Sequence, residues 1–337
     1  MAPKALPKVL FYVQHLVGVG HVFRATLVAK ALAKQGCEVH LIWGGLDVPN
    51  MDFEGLKVHF LDPVYVANGD FKNLLNKDGA KFTDADKEDR KNMLLDIYNR
   101  VKPDIVATEA FPFGRKPMRF ELLPLMDTIL ASQPKPLTVA SIRDIMQENR
   151  TEKNVRESTD SIDTYYDIVM VHGDPNLITI EETLDNTQAF KEKIRYTGLV
   201  SPEAVKSSHE KQHNVLVSTG GGATGQSLIN AAIEAMPLSK LYPTGWTVAT
   251  GINISEDKFQ DIKRRAPEGM SVVRFFSDLT KELTKTHVSV SMAGYNTVAD
   301  ILRARCQSIL VPQCGGETEQ LRRSQYMEKM GISQVIT

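Results

Sequence analysis

Twice along the chain a short aliphatic run stops at a glycine-rich turn and passes straight into an amphipathic helix. This recurrence restricts the fold more than any other feature. Residues 8–15 (KVLFYVQH) meet Gly18-Val19-Gly20-His21 ahead of a helix expected over 22–35, with Gly36 as its stop. Residues 214–218 (NVLVS) meet Thr219-Gly220-Gly221-Gly222-Ala223-Thr224-Gly225 ahead of a helix expected to run to Met236. Further buried-type runs at 38–43, 104–108, 137–141 and 166–172, then at 246–250, 271–275 and 286–291, alternate with helical stretches. That alternation is the pattern of parallel α/β sheets. The expected architecture is α/β, with two doubly wound Rossmann-like domains facing across a cleft. Their spans are 1–200 and 214–337, joined by a linker at 201–213 (SPEAVKSSHEKQH) that has no strand pattern. Between the early strands, residues 66–92 are polar and read as a surface loop running into a helix that continues to Arg100, and 144–166 read as helical.

Length and charge narrow the partners. The 337 residues suit two cores, and a net charge of −1 gives no footprint for nucleic acid or for bulk membrane-surface binding. Cys37, Cys306 and Cys314 are scattered, which argues against a disulfide framework or a metal-ligand spacing. The apolar run near the N-terminus is strand-like, is interrupted by Gln14 and His15, and lacks a small-residue cleavage site, so a signal peptide is not expected. No apolar stretch approaches the roughly 20 residues of a membrane span. The expected compartment is cytoplasmic.

The last third, 286–327, reads as strand, small-residue turn, helix, strand, acidic turn, helix. The turn Ser291-Met292-Ala293-Gly294-Tyr295-Asn296-Thr297 sets backbone N–H groups at a helix start, where a phosphate is favoured. The Gly220 turn suits the same ligand, although glycine there also serves simple helix–strand packing. Glu319 and Gln320 offer a carboxylate and an amide at the mouth of the last long helix, suited to sugar hydroxyls, or merely a charge that favours a helix N-terminus. Asp300, one turn beyond Thr297, is either a ribose contact or an exposed helix charge. His21 lies at a helix N-terminus whose dipole disfavours the imidazolium, so it is a candidate base near pH 7 or a solvent-exposed residue. Phe111, Phe113, Arg115, Lys116 and Arg119 form a basic-aromatic group that reads either as an acceptor contact or as solvated surface.

Four segments carry a family resemblance: GVGHVFRA at 18–25, STGGGATGQSLINA at 218–231, SMAGYNTVADIL at 291–302 and VPQCGGETEQLRRSQYM at 311–327. The chain resembles GT-B glycosyltransferases of the MurG-like, family 28 type and, more narrowly, the related "predicted glycosyltransferase" group. The resemblance implies that His21 is catalytic. It places Gly220, Gly221, Gly222 and Thr224 on a diphosphate turn and Phe276 on a nucleobase turn. Ala293, Gly294, Asn296 and Thr297 fall on an α-phosphate turn, Asp300 at the ribose, and Glu319 with Gln320 at the donor sugar. Gly18, Gly20 and Arg24, together with Phe113 and Arg115 from the basic-aromatic group, are expected on the acceptor side.

Three departures qualify it. The N-terminal loop is short and has Arg24 where the family has Pro, giving a GxGHxxR shape similar to UDP-sugar hydrolases of pseudaminic acid synthesis. Asp300 replaces a Glu. The chain also stops at a strand over 332–337 where family members continue with helices, so it reads as shortened.

The expected function is transfer of a hexose or N-acetylhexosamine from a UDP-sugar to a saccharide or lipid-linked acceptor, in cell-envelope or polysaccharide synthesis. Neither metal nor cofactor is expected, since no Asp-x-Asp pair is placed to hold a metal-bridged diphosphate. Peripheral contact with the inner face of a membrane is compatible with such an acceptor. The alternatives are UDP-sugar hydrolysis, 2-epimerisation on the same fold, or nucleotide-sugar binding without catalysis.

Overall fold

The computed structural model describes residues 6–337 apart from 17, 50, 68–69, 147–150, 204–211, 221–224, 241–244, 253 and 314–317. The chain divides into two compact units. One takes in residues up to Asp144 with Asn149–Pro175 and Thr179–Gly198, and the other takes in Ile145–Glu148, Asn176–Ile178 and Leu199–Thr337.

In the first unit β1 (Lys8–Val13) leads to α1 (Gly20–Lys34), β2 (Glu38–Trp43) and β3 (Lys57–Phe60). A small hairpin of β4 (Val64–Tyr65) and β5 (Leu75–Asn76) precedes α2 (Asp84–Val101). Then come β6 (Ile105–Glu109), α3 (Arg119–Ala131), β7 (Leu137–Arg143), α4 (Glu152–Tyr165), β8 (Ile168–His172) and β9 (Ile194–Tyr196). The seven strands of the sheet run in the order β3-β2-β1-β6-β7-β8-β9, each parallel to its neighbours. A parallel sheet covered on both faces buries every side chain of a central strand, and Val9 to Val13 are all buried. Val22, Ala25 and Ala29 recur at helical spacing on α1 and close over Val9, Phe11 and Val13.

Helix α1 begins two residues earlier than its apolar periodicity suggests, which puts His21 inside the first turn. The polar stretch expected as a loop holds β5, which pairs with β4 just before it, and Thr83 and Asp86 form a reciprocal capping box that starts α2. Helix α4 starts only at Glu152, because Thr151 caps it by accepting from the Asn154 N–H.

The second unit is built from β10 (His213–Ser218), α5 (Gln226–Ala235), β11 (Trp246–Ala249), α6 (Glu256–Arg265) and β12 (Met270–Val273). It continues through α7 (Leu279–Thr284), β13 (Thr286–Ser291), α8 (Tyr295–Ala304), β14 (Gln307–Leu310), α9 (Thr318–Lys329) and β15 (Ser333–Val335). Its six strands are parallel in the order β12-β11-β10-β13-β14-β15. The two-residue period of β10 sends Val215 and Val217 against Leu228, Ile229 and Ala232 of α5, and Leu216 against Val298 and Ile301 of α8.

Each sheet grows outward in both directions from its first strand. The strand order therefore reverses between β1 and β6 in one unit and between β10 and β13 in the other. Open α/β sheets bind ligands at such a point, beyond the carboxyl ends of the strands.

Candidate active site

In the second unit Ser218 of β10 is in register with Ser291 of β13, so the two turns leave the sheet side by side at the point of reversal. The Met292 N–H donates to the Ser218 carbonyl at 3.1 Å and locks the turns together. Gly220 has φ +70, and a Cβ placed on it would lie 3.9 Å from Thr297 Oγ1. The first glycine turn thus passes within van der Waals distance of the first turn of α8. That helix opens at Gly294 with no side-chain cap, the kind of terminus that accepts an anion.

A third loop, after β14, is tied to the same place. Buried Arg323 of α9 donates to the Ala293 carbonyl at 2.8 Å and to Glu319 Oε1 at 2.8 Å. This pair, four residues apart on one helix face, fixes the Glu319 carboxylate beside the 292–294 turn. Gln320 Oε1 accepts the Gln313 N–H at 3.1 Å, which orients its amide. Asp300 Oδ1 accepts from Thr280 Oγ1 of α7 at 2.9 Å. Burial is the main cause that pushes this carboxyl up to about 7, with the charge of Asp278 adding to it and the Thr280 hydrogen bond opposing. Phe276 turns its ring inward against the core, which leaves its backbone at the turn.

The carboxyl edge of the first unit is polar and enclosed. His21 Nε2 lies 3.0 Å from the Gln14 carbonyl oxygen and is contacted by Arg115 Nη2, while Arg115 Nε donates to that same carbonyl at 2.6 Å. The His21 pKa is held well below 6.5, first by desolvation and then by the Arg115 and Arg24 guanidiniums. Burial and two cations thus act in the same direction as the helix dipole, each favouring the neutral ring. His15, edge-on to Trp43, is held down to about 4 by burial and by Arg115.

Behind them runs a buried chain. Arg24 pairs with Glu109, Glu109 accepts from Ser141 Oγ, Ser141 contacts His172 Nε2 at 2.9 Å, and His172 Nδ1 meets Thr197 at 2.9 Å. The carboxylate bonds the serine and not the histidine, and Glu109, Ser141 and His172 are all fully buried. This chain therefore fixes the ends of β6, β7 and β8 and supplies no accessible nucleophile.

Residues 215–337 match the Glycosyltransferase family 28 C-terminal domain. That stretch is most of the second unit, and the fold of the whole chain is the two-domain GT-B fold of the glycosyltransferases it resembles in structure. Among solved structures it is similar to MurG of Acinetobacter baumannii at 14% identity and a TM-score of 0.58, covering 98% of this chain and 85% of that one. The kitacinnamycin glycosyltransferase gives 11% identity and a TM-score of 0.62 over 99% and 86% of the two chains. The spinosyn forosaminyltransferase SpnP gives 14% and 0.61 over 98% and 86%. Among curated proteins none matches the sequence.

Within the matched stretch, Gly220, Ala293 and Gly294 lie on the turns at the carboxyl edge, Asn296 and Thr297 in the first turn of α8, and Glu319 and Gln320 in the first turn of α9. Gly221, Gly222 and Thr224 lie outside the described residues. Asp300 stands slightly apart, against α7.

In the N-terminal unit Gly18 and Gly20 are exposed on the turn before α1, and Arg115 lies against His21. Two acceptor-side expectations change. Arg24 is turned inward because buried Glu109 requires a counter-charge, and Phe113 is buried with its ring 5.9 Å from Phe190. The basic-aromatic group as a whole is not a solvated patch. Phe111 is in the core, and Lys116 and Arg119 both bond Glu157 of α4.

Sequence reasoning missed Arg323, Gln14 and Glu109. Arg323 had a usable signal, the four-residue spacing from Glu319. Gln14 and Glu109 had none beyond their places at strand ends.

Proposed function

We propose that this chain transfers a hexose or N-acetylhexosamine from a UDP-sugar to an acceptor hydroxyl without a metal ion. The reading is supported above all by the approach of Gly220 to Thr297 at the β10–β13 reversal, with Glu319 fixed beside it through Arg323 and Ala293. Two helix starts and a glycine turn suit a diphosphate, and a fixed carboxylate suits sugar hydroxyls.

In the proposed reaction the acceptor oxygen attacks the anomeric carbon, the bond from that carbon to the diphosphate oxygen breaks, and UDP departs. Backbone N–H groups and the α8 dipole stabilise the charge that develops on UDP. Neutral His21 accepts the hydroxyl proton. Asp300, with Thr280, is assigned to the ribose, and Arg115 with the Gly18–Gly20 turn to the acceptor side.

A panel of nucleoside diphosphate sugars tests this, assayed with and without candidate saccharide or lipid-linked acceptors, in the presence and absence of a chelator. Acceptor-dependent, chelator-insensitive release of UDP is expected. Rapid release of free sugar without acceptor would indicate hydrolysis, and recovery of an epimer would indicate epimerisation. Failure of every nucleoside diphosphate to raise the melting temperature would overturn the reading.

A further inference from the structure

We propose that Arg115 is the positioning residue of His21, fixing the imidazole against the Gln14 carbonyl and opposing its protonation, with Arg90 and Glu121 anchoring Gln14 from behind. This rests on His21 as the base of the proposed reaction.

The three groups form a triangle. Arg115 Nε donates to the Gln14 carbonyl, Arg115 Nη2 meets His21 Nε2, and His21 Nε2 is 3.0 Å from the same carbonyl oxygen. A carbonyl oxygen only accepts, so Nε2 carries the ring proton toward Gln14 and Nδ1 is left as the acceptor that can take the hydroxyl proton. An imidazolium would set a second positive charge directly against the Arg115 guanidinium.

The carbonyl that anchors both side chains is immobile. Gln14 Nε2 donates to the His15 carbonyl at 2.6 Å and to the Val64 carbonyl at 3.0 Å, while its Oε1 accepts from Arg90 Nη2 at 2.6 Å. Arg90 is fully buried, paired with Glu121 through Nε at 2.7 Å and bonded to the Gly44 carbonyl at 2.9 Å. Gly44 is required beside them, since a Cβ there would fall 2.2 Å from Gln14 Oε1 and 2.5 Å from Arg90 Nη2.

Arg115 is itself pre-set. It has φ +59, in the left-handed region that non-glycine residues enter only when their surroundings dictate it.

The other groups facing His21 do not supply a carboxylate. Arg24, one turn along α1, adds positive charge; His15 on the β1 loop does so only when protonated; and Glu109 is engaged by Arg24 and Ser141. Among the described residues His21 has no carboxylate partner, so the charge at Arg115 governs how readily the ring takes a proton.

The test is a histidine-ring NMR titration of the full chain without donor or acceptor, alongside pH profiles of transfer. In the wild type His21 should remain neutral well below its ordinary range. Arg115→Met should move its midpoint up toward 6.5 and carry the acidic limb of kcat/KM with it. Arg115→Lys keeps the charge but loses the two-pronged contact, so its midpoint should stay low while kcat falls at least about tenfold. Donor KM should change less than about twofold in either variant, since Arg115 is assigned no donor contact. An unchanged midpoint in Arg115→Met, or wild-type kcat in Arg115→Lys, would overturn the inference. The titration needs no substrate, so a failed transfer assay and a failed His21–Arg115 pair are told apart.

Discussion

Arg323 holds the Glu319 carboxylate and the Ala293 turn, the two groups proposed to meet the donor sugar and the phosphate, with one side chain. Replacing Glu319 by Gln keeps the volume and removes the charge that Arg323 bonds at 2.8 Å inside the protein. A buried charge-assisted hydrogen bond contributes about 2 kcal/mol, so the C-terminal unit should lose roughly that much stability. The donor KM should rise as well, because Arg323 also holds the Ala293 carbonyl. Urea unfolding followed at Trp246, with donor kinetics on the same sample, checks both; a donor KM equal to wild type would remove Glu319 from the site. Gly45 makes a purely steric case. A Cβ there would fall 2.2 Å from the ring of His15, which is buried against Trp43. Gly45→Ala should therefore destabilise the N-terminal unit by about 2 kcal/mol through overpacking, read as a lower urea midpoint in Trp43 fluorescence.

At the scale of elements, the parallel strands were legible because burial on both faces writes them as unbroken aliphatic runs, as in Val9 to Val13. The β4–β5 hairpin was not, since two residues per strand carry no period. The two turns proposed to hold phosphate were legible as glycine between strand and helix, and the candidate site was half visible for the same reason. What the sequence could not show was direction. Arg24 and Phe113 look like surface chemistry until Glu109 is seen to be buried at the end of β6 and Phe190 beneath the 111–115 loop. The Gly220 turn yields a prediction of its own. With φ +70 the position tolerates Ala only at a cost of about 1 kcal/mol, and the added methyl meets Thr297 at an ordinary contact distance. Strands β10 and β13 should then pair as before, while UDP affinity falls about fivefold as the turn relaxes away from the phosphate. Titration calorimetry with UDP measures this; an unchanged affinity would place the phosphate elsewhere.

Across the whole molecule the two units carry opposite proton linkages. In the N-terminal unit buried His15 and His172 are held down to about 4 and about 3, and His21 is lowered too. Below 6.5 the unfolded chain binds protons there that the folded unit refuses, so stability falls with falling pH by ~1.4 kcal/mol per pH unit per group. In the C-terminal unit Asp300 is raised to about 7 from an ordinary 3.8. Between those values the folded unit binds the extra proton, so stability falls as pH rises, by at most ~1.4 kcal/mol per unit. The depressed carboxyl groups, such as Glu38 and Glu282, act only below about 4.5 and leave the range from about pH 5 to about pH 7 to these residues and to His59 of the N-terminal unit, which is lowered as well. The chain has two tryptophans, Trp43 in one unit and Trp246 in the other, both buried. Single-tryptophan variants Trp246→Phe and Trp43→Phe therefore report each unit separately. From about pH 7 to about pH 5 the urea midpoint seen at Trp43 should drop while that seen at Trp246 rises, and Asp300→Asn should flatten the second trend alone. Midpoints that move together, or a Trp246 trend that survives Asp300→Asn, would show that burial of Asp300 does not set the pH response of the C-terminal unit.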